Sequence, residues 1–346
     1  MKIYTSMKDI AQKAETSIAT VSYVINNVNR YIRPELRARV LQAADELGYV
    51  KNASASSLKG KTRGIIAVLV PQFGNTYFTH ICVEIENLIQ KSGYILNICN
   101  SNDNYDLECT IIKRLESQRV DGLIICPAYN RNAQSNNQNI KDYNLRVPHV
   151  ILDRFLCSQD QTNYDYIGHD GLQSGYLATM KLLMAGHRRI AFAGWDSPIS
   201  IIRDRLDGYK NALNEFSISY DPDLVFLSDI ANESGILAGK QIISSKASAV
   251  VLGHQNIAKG VIKYFYNIGI SWPEDISIVM IGTPDWNTIL QKPLTCIQRP
   301  EREMGFTAAT ILIDKIENPN KKAIKKILPC SLVEGSSIHK IDLTAI

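Results

Sequence analysis

No stretch of the 346 residues stays apolar for the ~18 positions that a membrane-crossing helix needs, so a membrane-spanning class is set aside. The first residues, Met1-Lys2-Ile3-Tyr4-Thr5-Ser6-Met7-Lys8-Asp9, lack the continuous apolar segment and small-residue cleavage site of a secretory signal. A cytoplasmic protein with no membrane partner is the expectation. The seven cysteines are an odd set without C-x-x-C spacing, and most lie in apolar stretches such as Leu123-Ile124-Ile125-Cys126. They read as reduced core residues rather than metal ligands or disulfides. The six histidines never fall at metal-ligand spacing. Gly-rich dinucleotide and phosphate loops, H-E-x-x-H and G-x-S-x-G are all missing, so no catalytic group can be named, and neither enzymatic activity nor a cofactor is expected. There is no internal repeat, and Ile341, Leu343 and Ile346 are too few to sustain the heptads of a tetramerising coiled coil.

What is present is unevenly distributed. Residues 1–62 hold ten Lys/Arg and five Asp/Glu, a balance of +5, which leaves 28 against 29 for residues 63–346. A small basic head on a neutral body suits a nucleic-acid reader. Three short helices are expected in that head. Ser6 with Asp9 three residues on makes a capping box, Ser17 caps a second helix running to Asn26, and Pro34 suits the first position of a third. Val21, Val24 and Ile25 form the buried stripe of the second helix, while Ile18, Ala19, Ser22 and Tyr23 face away. Two helices joined by a tight turn, the second opening on Ser/Thr, fit either a helix-turn-helix or a generic three-helix bundle.

Residue identity separates these readings. The string Asp9-Ile10-Ala11, then 17–26, then Arg37, Val40, Ala43, Leu47-Gly48-Tyr49 and Asn52 resembles the DNA-binding head of the lactose-repressor (LacI/GalR) family of bacterial transcription regulators. The resemblance implies base reading by Ile18, Ala19 and Tyr23, with Ser17, Thr20, Ser22 and Asn26 near phosphates. Ile18 and Ala19 offer only apolar contact, whereas Tyr23 adds a single hydrogen bond where many members have a bidentate Arg. Glu15 stands where the family usually has Gly, and Arg33 where it usually has a capping Ser. Residues 51–62 correspond to the family's hinge helix, with Ala55 in place and Leu58 at the position of the leucine that wedges between central base pairs.

From residue 64 the pattern becomes apolar runs separated by amphipathic stretches. Runs at 65–70, 122–126, 147–152, 190–193, 248–252 and 276–281 read as buried parallel strands. Helical stretches are expected near 77–92, 106–118, 171–186, 201–216, 233–245, 256–268 and 301–317. The fold class is therefore α/β, with doubly wound parallel sheets in two lobes behind the helix-turn-helix head.

The family resemblance continues through Asn75-Thr76-Tyr77-Phe78, Leu152-Asp153-Arg154, Gly186-His187-Arg188, Arg205-Leu206-Asp207-Gly208-Tyr209 and Pro293-Leu294-Thr295. It implies a core like a type I periplasmic binding protein. The domains expected are a head over 1–50, a hinge over 51–62 and a core over 63–346. Chain crossings near 160, 288 and 325 would divide the core into one lobe of 63–160 and 289–325 and another of 161–288 and 326–346. Asn75, Phe78, Arg205, Ile230 and Gln255 are the implied effector-binding residues. Gln255 replaces an aspartate of sugar-binding members, and their Gly-Phe-Asp-Asp falls on Met280-Ile281-Gly282-Thr283, so an ordinary neutral sugar fits poorly and a phosphorylated or acidic ligand stays open. The implied function is a repressor that binds palindromic operator DNA as a homodimer under control of a small-molecule effector. The alternative is a periplasmic-type binding protein without DNA regulation.

Overall fold

The computed structural model describes residues 5–50, 63–129, 143–154, 164–197 and 199–341. Ala55, Leu58 and the rest of the expected hinge lie outside these, as does Cys157. The chain divides into two compact units, residues 1–63 and 64–346. Among the described residues no helix is long and apolar enough to cross a membrane.

The first unit holds α1 (Met7–Lys13), α2 (Ile18–Ile25) and α3 (Pro34–Glu46). Ser6 starts α1 by donating from its backbone N–H and its hydroxyl to Asp9 Oδ2, at 2.8 and 2.6 Å. Ser17 Oγ starts α2 by accepting from the Thr20 N–H at 3.1 Å. Arg33 gives α3 no side-chain cap, and Pro34 supplies only the preset φ. Ile10, Ala11, Ala14, Val21, Val24, Val40, Ala43 and Ala44 make one core for the three helices. The turn between α1 and α2 requires Glu15 at φ 47°, left-handed backbone that costs a side-chain-bearing residue about 1–2 kcal/mol. The buried Ala14 beside it and the Thr16 N–H bond to Ala11 O at 3.0 Å hold that turn.

The second unit contains two six-stranded sheets. The first combines β1 (Ile65–Val70), β2 (Ile95–Asn100), β3 (Gly122–Ile125), β4 (His149–Leu152), β5 (Asp165–His169) and β11 (Lys325–Leu328), in the order β11-β5-β4-β3-β1-β2 and wholly parallel. The second combines β6 (Ile190–Trp195), β7 (Val225–Ser228), β8 (Ala249–Leu252), β9 (Ser277–Ile281), β10 (Thr295–Gln298) and β12 (Ser331–Val333), in the order β12-β10-β9-β8-β6-β7. Only the β10–β12 pair is antiparallel. Helices α4 (Thr76–Lys91) and α10 (Glu301–Glu317) cover one face of the first sheet, and α5 (Tyr105–Ser117) covers the other. Helices α6 (Gly171–Met184) and α7 (Ser200–Glu215) cover one face of the second, and α8 (Asn232–Ser244) and α9 (Gln255–Asn267) the other. Each sheet, sandwiched by helices, makes one lobe.

The chain passes between lobes after β5, between β10 and α10, and between β11 and β12. These places, near residues 170, 300 and 330, correct the expected 160, 288 and 325. Strands β5 and β10 had not been anticipated, and each holds the chain in its lobe for one more strand before the crossing. Helices α6 and α7 touch through glycines: a Cβ on Gly175 would come within 1.9 Å of Arg205 O, and one on Gly208 within 2.1 Å of Leu172 O. This backbone-to-backbone approach sets the position of Arg205.

Candidate functional site

On the head, the buried stripe of α2 leaves a continuous outer face. Ser17, Ile18, Ala19 and Asn26 are exposed there, and Thr20, Ser22 and Tyr23 are half-buried. Ile18, at 51% exposure, is a large apolar side chain with no core to enter. Ser17 Oγ and Thr20 Oγ1 lie 2.9 Å apart, and Asn26 Nδ2 donates to Ser22 Oγ at 3.2 Å, so the polar groups of this face are pre-positioned. The Arg30 guanidinium stacks over the Tyr23 ring, 4.9 Å from its centroid. Sequence reasoning missed Arg30, because the loop that folds it back onto α2 has no periodicity to reveal it.

In the core, the carboxyl ends of the parallel strands and the amino ends of the following helices converge between the lobes. Asn75 caps α4 by accepting from the Tyr77 N–H at 3.1 Å, and His254 caps α9 by accepting at Nδ1 from the Asn256 N–H at 3.3 Å. Small cavities of about 20 and 40 Å³ lie in this cleft. Asn75, Arg205 and Gln255 line the first, and Asn75, Phe78 and Arg205 the second. The structure therefore brings four of the five expected residues together. Ile230 is the exception, since the turn between β7 and α8 holds it outside the lining of both cavities. Phe78 is largely core, edge-on to Tyr77 with ring centroids 5.0 Å apart. A wider groove of about 410 Å³ opens alongside on the second lobe, sharing Trp195 and Arg205 with the cleft.

Several lining residues are not among the expected effector contacts. The Tyr77 hydroxyl donates to Asp153 Oδ1 at 2.6 Å, and His169 Nδ1 stands 3.0 Å from the same oxygen. Burial pushes the Asp153 carboxyl up, but His169, the Tyr77 hydroxyl and the Arg299 charge outweigh it and hold the group at about 2. Arg154 forks onto Asp103, Nη1 to Oδ1 at 2.5 Å and Nη2 to Oδ2 at 3.1 Å. Arg205 donates from Nη1 to Gly253 O at 2.7 Å, while its buried Nε has no partner. Arg299, in the second crossing, places its guanidinium carbon over the Tyr77 ring, 3.7 Å from the centroid, and its buried Nε is likewise unpartnered. Burial, with Arg205, Arg299 and Arg154 nearby, pulls His254 down to about 3, so its imidazole is neutral. With Nδ1 accepting, the ring proton sits on Nε2. These residues come from separate helices, strands and loops, so no local spacing announces them.

Residues 6–52 match the family described as bacterial regulatory proteins, lacI family, and residues 179–338 match a periplasmic binding protein-like domain. The chain is 31% identical to the ribose operon repressor of Haemophilus influenzae and 29% identical to the HTH-type transcriptional repressor PurR of Vibrio atlanticus. Each alignment covers 97% of this chain and 99% of the relative. A LacI family transcriptional regulator from Enterococcus faecium, solved with bound ribose, superposes with a TM-score of 0.69 at 28% identity, over 80% of this chain and all of that one. With a helix-turn-helix head ahead of a two-lobed ligand-binding core, the chain belongs to the lacI family of bacterial regulatory proteins and is a DNA-binding transcriptional regulator.

Proposed function

We propose that the protein is a cytoplasmic repressor that acts by binding rather than by turnover, holding a palindromic operator as a homodimer. The exposed face of α2 reads each half-site: Ile18, Ala19 and Tyr23 meet base edges, and Ser17, Thr20, Ser22 and Asn26 meet phosphates. Ala55 and Leu58 act at the operator centre, Leu58 as an apolar wedge in the minor groove. A small-molecule effector between the lobes, at Asn75, Phe78, Arg205 and Gln255, changes the lobe arrangement and with it operator affinity. The observation that carries this reading is the outward face of α2, where Ile18 is exposed between polar groups that are already oriented. The repressor names of the relatives at 29% and 31% identity support the sign of the regulation.

The two-fold arrangement and the wedge are tested together with the full-length protein. Leu58→Ala should weaken binding to a palindromic operator about tenfold or more, the loss expected when an apolar wedge no longer offsets base unstacking. Sedimentation should show an unchanged dimer and calorimetry unchanged ligand binding. Operator affinity equal to that of the parent would remove the wedge, and a monomer in both proteins would remove the two-fold reading.

A further inference from the structure

Resting on the reading of the inter-lobe cleft as the effector site, we propose that the effector is an organic anion, a phosphate ester or a carboxylate, gripped jointly by Arg205 and Arg299. Arg205 is 3% exposed and spends Nη1 on a backbone carbonyl, which leaves a buried cationic N–H at Nε without an acceptor. A desolvated donor of that kind is costly to leave unpaired and is satisfied best by a negative oxygen. Arg299 is placed equally loosely. One face rests on Tyr77, its nearest carboxylate contact is Glu301 Oε1 at 3.5 Å, and its Nε is unpartnered. Gly282 makes room for it, since a Cβ there would stand 3.1 Å from Arg299 Nη2.

The other charges in the cleft are already engaged. Arg154 is held by Asp103, and Asp153 Oδ1 is taken by Tyr77 and His169; the Asp153 charge acts on Arg205 from a distance, but neither carboxylate gives Arg205 Nε an acceptor. Burial and the neighbouring Arg299 charge pull Arg205 down to about 10, and an anion between the two guanidiniums relieves that repulsion. The first turns of α4 and α9 add backbone N–H groups and the positive ends of two helix dipoles at the same place, beside Asn75, Thr76 and the neutral Gln255. Arg205 belongs to the second lobe, and the ring beneath Arg299 belongs to the first. An anion held by both would therefore tie the lobes together, which is what an effector must do to alter the head spacing.

The test titrates the full-length protein calorimetrically with three probes that share a carbon skeleton and differ in charge: ribose, ribonate and ribose 5-phosphate. At least one anion should bind about tenfold or more tightly than ribose, and which anion does so identifies the group recognised. Arg299→Gln should abolish most of that preference, and Arg299→Lys should retain part of it. Thermal melts of both variants report whether the fold is intact. Ribose binding as tightly as both anions, or an anion preference untouched by Arg299→Gln, overturns the inference. Ribose binding that Arg205→Ala abolishes, with neither anion competing, would keep the cleft as the effector site and sink the anion inference alone. No heat from any probe, or from inorganic phosphate at tens of millimolar, would sink both.

Discussion

His254 shows how far a residue's chemistry depends on neighbours that the sequence keeps distant. It follows Gly253, the acceptor for Arg205, and is buried near three guanidiniums drawn from three other parts of the chain. The ring is therefore neutral when folded, whereas in the unfolded chain it titrates near 6.5. The unfolded state binds the extra proton, so its contribution to stability is complete above pH 6.5 and is lost as pH falls toward 3, by up to about 1.4 kcal/mol per pH unit. Burial pulls His149, His169 and His187 down as well, with the same sign. Urea unfolding at pH 7 and pH 5 should show the parent losing stability on acidification, and His254→Asn should shrink that loss by about one proton's worth while keeping the cap on α9. An equal loss in both proteins would mean the imidazole is not desolvated.

Single residues in the head were legible where the signal was local: the Ser6–Asp9 box, the Ser17 cap and Pro34 at the start of α3 follow from identity and spacing, whereas the left-handed backbone at Glu15 is signalled only by the family's usual Gly at that position. Arg299 and Arg154 were not legible as site residues, because only the fold brings them to the cleft.

Among the elements, the six strands expected from apolar runs are β1, β3, β4, β6, β8 and β9, all interior strands of the two sheets. They are covered on both faces and therefore read as continuous hydrophobic segments. The other six are the four edge strands, β2, β7, β11 and β12, and two interior ones, β5 and β10. Strands β11 and β12 are largely exposed and β2 and β7 mostly half-buried, while β5 and β10 bury Asp165, His169 and Thr295 in place of apolar side chains. Their sequences carry little hydrophobic contrast, which is also why the lobe crossings were expected too early.

The α6–α7 contact had no sequence signal beyond two glycines, yet it seats Arg205. Gly175→Ala should cost about 2–3 kcal/mol, because the added methyl meets the Arg205 backbone rather than a pliable side chain, and it should weaken effector binding at the same time. Gly74→Ala, with nothing within 4 Å of the new Cβ, serves as the control and should change stability by less than about 0.5 kcal/mol. Thermal melts of the two variants separate these outcomes, and equal melting temperatures would mean that α6 and α7 have room to part.

For the whole molecule, the charge difference between residues 1–62 and the remainder coincides with the division into two compact units. The basic unit needs only a small core to present α2, and the neutral unit devotes two sheets to enclosing a cleft. A regulator that reads DNA with one unit and chemistry with the other requires the first to have sequence preference of its own. Selection of binding sites from a random duplex pool, with the full-length protein and with Tyr23→Ala, tests this most directly. The parent should enrich a palindrome of about 14–18 base pairs with a flexible pyrimidine–purine step at its centre. Tyr23→Ala should relax one base pair in each half-site by roughly 1 kcal/mol. Enrichment of no palindrome by the parent, or an identical selected sequence with and without Tyr23, would contradict base reading by the outward face of α2.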